Sequence, residues 1–249
     1  MIDIHTHILP GIDDGSETME DSLAMAEMAL RCGVDTLVVT PHSNVEGVFD
    51  NYYDDAYIRC FRSLEEAIRQ RGLPLTIVPG MEVYASEEVP ELLRQGRLIT
   101  LNHSRYLLME FNFYECFDYI EYMLTEIIEA GYHPIVAHPE RYHLIQKHTD
   151  IVCRFLEMGV SLQVNKGSIL GSFGYRSRET VLDLLEHKLV SFIASDAHSP
   201  YRRTTDMSEV YHFIRRFCCA EYAHILFSEN PKRVLKNIDL VDLNLRSFF

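Results

Sequence analysis

No run in this 249-residue sequence approaches about 18 consecutive apolar residues, so no membrane-spanning helix and no direct membrane insertion is expected. The opening Met1-Ile2-Asp3-Ile4-His5 lacks the basic and apolar segments of a secretory signal. Positive charge is scarce: 23 basic residues face 37 acidic ones, a net charge of −14. Binding nucleic acid through its phosphates calls for a basic face, so no nucleic-acid partner is expected, and adhesion to an anionic membrane fails on the same ground. Cys32, Cys60, Cys116, Cys153, Cys218 and Cys219 are scattered, with no C-x-x-C spacing. They read as reduced core thiols of a cytoplasmic protein. With 12 Gly and 9 Pro the chain is neither collagen-like nor low-complexity. There is no G-x-S-x-G elbow, no G-x-x-x-x-G-K-[ST] phosphate loop, and no Cys followed six residues later by Arg. Serine-elbow, phosphate-loop and cysteine-phosphatase chemistry are thereby excluded.

What is present is a globular composition, 47% hydrophobic and 24% charged, with enough length for a core within one domain over residues 1–249. Short apolar runs at 1–5, 36–40, 75–78, 106–109, 133–137, 161–164 and 190–194 read as strands. Continuous apolar runs, rather than alternating ones, suit a parallel sheet covered on both faces. Amphipathic stretches near 18–33, 53–70, 86–95, 117–130, 148–158, 177–187, 206–217 and 220–236 read as helices. Thr18 with Asp21 three residues later is a capping-box pattern, and Gly33 is a stop signal. Seven strand–helix units predict an α/β barrel of parallel strands.

The ends of these strands carry the chemistry. The first runs into His5-Thr6-His7, whose imidazoles share one side by alternation, with Asp13-Asp14 just beyond. The later strands end at His42, Glu82, Glu110, His138 and Asp196, with His198 two residues further. Any one of these is an ordinary cap or loop residue taken alone. Together they converge on the C-terminal mouth of a barrel. Burying so many imidazoles and carboxylates without cations would be costly.

His5, His7, Asp14, His42, Glu82, Glu110, His138, Asp196 and His198 exceed the roughly four ligands of a single zinc, so two or three ions are expected. Imidazole and carboxylate without thiolate favours Mn, Fe or Zn. Three divalent ions would outweigh the four carboxylates and draw an anion such as phosphate into an acidic protein. Clustered metals activate water and clamp both oxygens of a phosphoryl group in line, so phosphoester hydrolysis is the natural chemistry.

These motifs resemble the PHP (polymerase and histidinol phosphatase) superfamily over essentially the whole chain. More narrowly, the chain resembles the bacterial manganese-dependent protein-tyrosine phosphatases of capsule and exopolysaccharide operons. The narrower likeness rests on residues 1–15, MIDIHTHILPGIDDG, on Thr40-Pro41-His42, on His138-Pro139-Glu140-Arg141 and on Gln163-Val164-Asn165-Lys166-Gly167-Ser168. Relatives often carry a second His where this chain has Ser43, and some carry Asn where it has Ser199. The resemblance implies a PHP fold, a distorted TIM-like (β/α)7 barrel. It also implies three metal ions, Mn2+ by preference, with Fe, Zn, Co or Mg as alternatives. By that pattern His5, His7, Glu82 and Asp196 hold one ion, and Glu82 bridges to a second held by Glu110 and His138. Asp14, His42 and His198 hold the third. Arg141 would meet phosphate oxygens, with Arg202 or Arg203 as a second candidate, since an arginine fork suits phosphate.

The implied function is hydrolysis of phosphotyrosine by a metal-bridging hydroxide, on a bacterial tyrosine autokinase that controls polysaccharide synthesis. Arg141, His42, Asp14, Asp196 and His198 are the candidate catalytic residues. Phenolate leaves more easily than an aliphatic alkoxide, which favours aryl phosphates. The Ser43–Tyr53 loop, with Asn44, Phe49, Asn51, Tyr52 and Tyr53, offers a rim for a peptide, although Tyr52 and Tyr53 equally suit the start of a helix. Gln163 and Asn165 are candidates for a phosphate-bound water or for structural bonds. The nearest alternative is a small-molecule phosphatase acting, for example, on histidinol phosphate. An amidohydrolase-type enzyme and a non-catalytic metal module rank lower.

Overall fold

Val, Ile and Leu in short runs build strands whose two faces are both covered. The computed structural model describes residues 1–242, so the last seven residues of the domain expected over 1–249 lie outside the described residues. In chain order the elements are β1 (Ile2–Thr6), α1 (Met19–Arg31), β2 (Thr36–Val39), β3 (His42–Ser43), α2 (Asp55–Gln70), β4 (Thr76–Pro79) and β5 (Glu82–Tyr84). Then come α3 (Val89–Arg94), β6 (Tyr106–Glu110), α4 (Phe117–Glu129), β7 (His133–Ala137), α5 (His143–Lys147), α6 (Ile151–Glu157) and β8 (Ser161–Asn165). The chain continues with α7 (Lys166–Ile169), α8 (Tyr175–Glu186), β9 (Phe192–Ala194), α9 (Ser208–Phe217), α10 (Ala220–His224) and α11 (Asn230–Leu235).

Every pairing among these strands is parallel, in the orders β1-β2-β4 and β3-β5-β6-β7-β8-β9. Only Thr40-Pro41 separates β2 from β3, and only Gly80-Met81 separates β4 from β5. Each pair fills one strand position, broken in the middle. Pro41 has no N–H for the ladder. Gly80 is needed for space: a Cβ there would lie 2.9 Å from Val38 Cγ1 and 3.0 Å from Leu101 Cδ2. The Tyr57 hydroxyl donates to Gly80 O at 2.9 Å and accepts from Gly80 N at 3.2 Å, holding that break open. His7 N donates to Ala197 O and Asp196 N to His5 O, which joins β1 to the chain after β9. The sheet thus curls into the expected distorted barrel, a single α/β domain.

Ile4, Val38, Tyr106, Leu108, Ile135, Phe192 and Ala194 form the inner apolar cluster. A larger cluster lies between strands and helices. By register Gln163 and Asn165 share the inner face with Phe192 and Ala194, so the interior turns polar toward the strand C-termini.

Several expectations need correction. The helix expected near 148–158 is α6, and a further short helix that was not expected, α5, precedes it. The helix near 220–236 is interrupted by a wider turn, Ile225–Glu229. Asn230 N donates to Ile225 O across that turn, and Pro231, the next residue, has no N–H to offer Phe227 O. All six cysteines are free, but none is a core residue: Cys116 and Cys219 are exposed and the others half-buried. The two exposed ones sit at the N-caps of α4 and α10, which face water. The Thr18 cap forms, accepting from Asp21 N; the Asp21 carboxylate accepts from the Thr18 hydroxyl instead of reaching the cap's backbone.

Candidate active site

The strand C-termini bring all nine candidate ligands into one cluster. At its floor His5 Nε2 and His7 Nε2 lie 3.1 Å apart, both fully buried. Glu82 Oε2 is 3.2 Å from each, and Asp196 Oδ1 is 3.5 and 3.4 Å away. On one side His138 Nε2 reaches Glu82 Oε1 at 3.0 Å and Glu110 Oε1 at 3.5 Å. On the other, His42 Nδ1 lies 3.0 Å from Glu82 Oε2 and 3.5 Å from Glu110 Oε2. Toward solvent, His42 Nε2 and His198 Nε2 are each 3.6 Å from Asp14 Oδ1.

The donor set fits cations. His7, Asp14, His42 and His198 can hold one ion, as can His5, His7 and Asp196, or His42, Glu82 and Glu110. Two of these groupings differ from the pattern the resemblance implies: His7 also lies with the outer set, and His42 joins Glu82 and Glu110. Among the described residues, buried Glu82 Oε2, His138 Nδ1 and His198 Nε2 have no hydrogen-bond partner. Ring nitrogens and carboxylate oxygens that converge without enough protons between them are what a cation resolves.

The electrostatics follow from burial and close packing. Desolvation drives the His5, His7 and His42 imidazoles down, but neighbouring carboxylates outweigh it and hold them above the ordinary value. His138 is pushed down to about 4, chiefly by burial. Burial would raise Glu82 and Asp196, but the surrounding imidazoles hold both well below the carboxylate range. Burial and the adjacent Glu82 push Glu110 up.

The backbone is bent to make this mouth. His138 (φ 36°) and Asp196 (φ 50°) are left-handed non-glycine residues at strand ends. Such conformations persist only where surroundings dictate them. Here His138 N donates to Gln163 O and Asp196 N to His5 O.

A second layer orients the cluster. Asp13, which sequence reasoning did not single out as a site residue, accepts from His7 Nδ1 at 2.8 Å and from His42 N at 2.9 Å on Oδ2, and from Gly15 N at 2.9 Å on Oδ1. A carboxylate on the far nitrogen of an imidazole fixes the tautomer and aims the other nitrogen. Gln163 Oε1 accepts from His5 Nδ1 at 2.8 Å, Gln163 Nε2 donates to Asn165 Oδ1 at 2.9 Å, and Asn165 Nδ2 donates to Asp196 Oδ2 at 2.5 Å. These amides therefore make structural bonds, which link His5 to Asp196. Ser43 donates its hydroxyl to Glu82 O.

The arginines separate. Arg203 Nη2 lies 2.5 Å and Arg141 Nη1 3.8 Å from Asp196 Oδ2. Arg202 is exposed, and its backbone N–H bonds Ser199 Oγ. In the Ser43–Tyr53 loop Phe49 stacks on His42, centroids 5.3 Å apart, and Asn51 Nδ2 donates to His42 O and Ile12 O. Tyr52 and Tyr53 turn inward: Arg97 covers the Tyr52 ring and Tyr53 N donates to Arg97 O. They precede α2, whose N-cap is Asp54.

A distorted parallel barrel with buried imidazoles and carboxylates at its strand C-termini defines the class of barrel metallohydrolases. Within it, the family model for capsular polysaccharide synthesis, CpsB/CapC, matches residues 1–236, and the chain belongs to that family. It is 35% identical over 238 residues to the tyrosine-protein phosphatase YwqE of Bacillus subtilis, covering 95% of this chain and 92% of YwqE. It is 33% identical over 242 residues to the tyrosine-protein phosphatase CpsB of Streptococcus agalactiae, covering 95% of this chain and 99% of CpsB. The fold superposes with a TM-score of 0.90 and 34% identity on a structure from work on YwqE of Bacillus subtilis and CpsB of Streptococcus pneumoniae, described as metal-dependent tyrosine phosphatases; 97% of this chain and 96% of that one are covered. No helix among the described residues is long and apolar enough to cross a membrane.

Proposed function

We propose that this chain is a metal-dependent protein-tyrosine phosphatase whose substrate is a bacterial tyrosine autokinase of capsule or exopolysaccharide synthesis. The observation that carries this is the buried imidazole–carboxylate cluster opening directly onto two guanidiniums, Arg141 and Arg203. His5, His7, Asp14, His42, Glu82, Glu110, His138, Asp196 and His198 would hold manganese ions. Bound divalent ions would supply an acidified water as nucleophile and positive charge against the phosphate.

The chain's own residues do the rest. Arg141 and Arg203 take phosphate oxygens with paired N–H groups, which fixes the phosphorus over the cluster. Asp13 and Gln163 hold His7 and His5 in one tautomer and one orientation. Asp14, with a side chain 55% exposed, and partly exposed His42 line the open side where substrate enters. The tyrosyl oxygen leaves with little need of protonation, because its conjugate acid has a pKa near 10. A cytoplasmic setting agrees with six unpaired thiols.

The test is turnover of metal-stripped protein after Mn2+ is returned, on a phosphotyrosyl peptide and on histidinol phosphate. Peptide turnover is expected, and Arg141→Ala should raise KM by about 10- to 100-fold through loss of charge-assisted hydrogen bonds. Turnover confined to histidinol phosphate would overturn the protein-phosphatase reading.

A further inference from the structure

Arg141 is held by rings, not by hydrogen bonds. Its guanidinium carbon lies over two rings, 4.4 Å from the Phe113 centroid and 4.5 Å from the Phe173 centroid. Phe173 also faces Arg203, 5.6 Å away. One ring therefore touches both guanidiniums that flank Asp196. Phe113 lies against the main apolar core, which fixes it. Phe173 is half-buried on the short segment between α7 and α8, and its ring lies over Gly167. A Cβ on Gly167 would come within 2.6 Å of Phe173 Cε2 and 3.2 Å of Cδ2. Glycine at that position is what lets the ring reach the arginines.

Two guanidiniums near one another repel, and each carries a large rotamer entropy. An aromatic face attracts a cation without consuming its N–H groups. Among the described residues the Arg141 side chain donates no hydrogen bond, so its fork stays available to an anion while its plane is fixed.

We propose that Phe173 is a positioning residue that presents Arg141 and Arg203 as a single phosphate grip, with Gly167 as its seat. This rests on reading Arg141 as a phosphate ligand. On that basis the ring serves binding of the phosphoryl group, equally in ground and transition states, more than the chemical step.

The experiment uses the manganese-loaded enzyme. KM and kcat for a phosphotyrosyl peptide, the competitive inhibition constant of inorganic phosphate, and bound manganese are measured for wild type, Phe173→Leu, Phe173→Tyr, Gly167→Ala and Arg141→Ala. Phe173→Leu is expected to raise KM and the phosphate inhibition constant together by about tenfold, about 1.4 kcal/mol, with kcat within about threefold and manganese content unchanged. Phe173→Tyr should keep wild-type constants. Gly167→Ala should displace the ring and shift the same two constants in the same direction, which serves as the test if the leucine variant fails to fold. If Arg141→Ala weakens phosphate while Phe173→Leu and Gly167→Ala do not, the positioning role is overturned. If Arg141→Ala also leaves phosphate unchanged, the phosphate-ligand reading of Arg141 falls, and the proposal falls with it.

Discussion

Replacing Asp13 by Asn tests the claim that the cluster is aimed from behind. The carboxylate accepts three hydrogen bonds, from His7 Nδ1 and His42 N on Oδ2 and from Gly15 N on Oδ1. Burial would raise its pKa, but the His7 imidazole and these donors lower it, so it is ionised. Asn keeps the shape. Its amide nitrogen must replace one oxygen and face a donor with a donor. Facing Gly15 is cheaper, because one bond is lost instead of two. A buried group left unsatisfied costs about 1–3 kcal/mol. The His7 bond also loses its charge assistance, roughly halving its strength. The metal-free protein should therefore lose about 2–4 kcal/mol. A partner behind a ligating imidazole is worth about 10- to 100-fold in metal affinity. The assays are urea unfolding of the metal-free protein and Mn2+ competition against a chelator of known affinity. Unchanged affinity alongside lost stability would refute the aiming role and leave Asp13 a mere brace. No change in either would refute the hydrogen-bond reasoning altogether.

Gly15→Ala should be worse than Asp13→Asn. Its Cβ would lie 2.2 Å from His7 O and 2.5 Å from His7 Cβ, with Asp13 Oδ1 at 2.8 Å. We expect a loss of about 3 kcal/mol or more, read as a lower unfolding midpoint, and a wild-type midpoint would contradict the packing. Gln163→Leu removes the acceptor for His5 Nδ1 and the donor to Asn165, so manganese should be held about tenfold more weakly in the chelator competition. Equal retention would show that His5 needs no fixing. His133, at the start of β7 and away from the mouth, is pushed down to about 4, mainly by burial and also by Arg105. Its unfolded form takes a proton near pH 6.5, so between about pH 6.5 and 4 the unfolded state binds more protons and stability falls with pH. Relative to His133→Gln, the wild type should lose about 2–3 kcal/mol between pH 7 and 4.5 in urea unfolding, and parallel pH profiles would exclude the effect.

Much of this arrangement was legible in the residues because strand ends are local events. A Val- and Ile-rich run ending in His or Glu places that side chain at a mouth whenever the runs are parallel. Hence β7 falls on His133–Ala137, as expected, with His138 next. The breaks were not legible. Thr40-Pro41 and Gly80-Met81 each interrupt a strand that resumes as β3 and β5, and at Gly80 only the folded neighbours Val38, Leu101 and Tyr57 show why the chain breaks there. The second layer was hidden for a similar reason. Asp13 stands beside Asp14, and only the fold turns one carboxylate inward to His7 and leaves the other toward solvent. Gln163 and Asn165 were rightly placed on one face, but their partners His5 and Asp196 come from strands distant in sequence. Arg202 and Arg203 are indistinguishable by composition. The left-handed backbone of Arg203 (φ 49°) and its bond from Nε to Asp196 O decide which one faces the cluster.

Asp196 explains how an acidic chain can serve an anionic substrate. Its Oδ1 faces the His5 and His7 nitrogens at the cation end, while its Oδ2 takes Arg203, Asn165 and, more distantly, Arg141 at the anion end. One buried carboxylate is therefore shared between the groups that would hold metal and those that would hold phosphate. Without cations its full charge draws on Arg203. With cations beneath it, part of that charge would already be matched, and the guanidiniums would meet an incoming phosphate with less competition. By linkage, whatever strengthens phosphate binding through metal must strengthen metal binding through phosphate by the same factor. The net charge of −14 need not oppose phosphate, because exposed charges are screened by salt, whereas Asp196 is buried and its exchange of partners would take place where charges are screened much less.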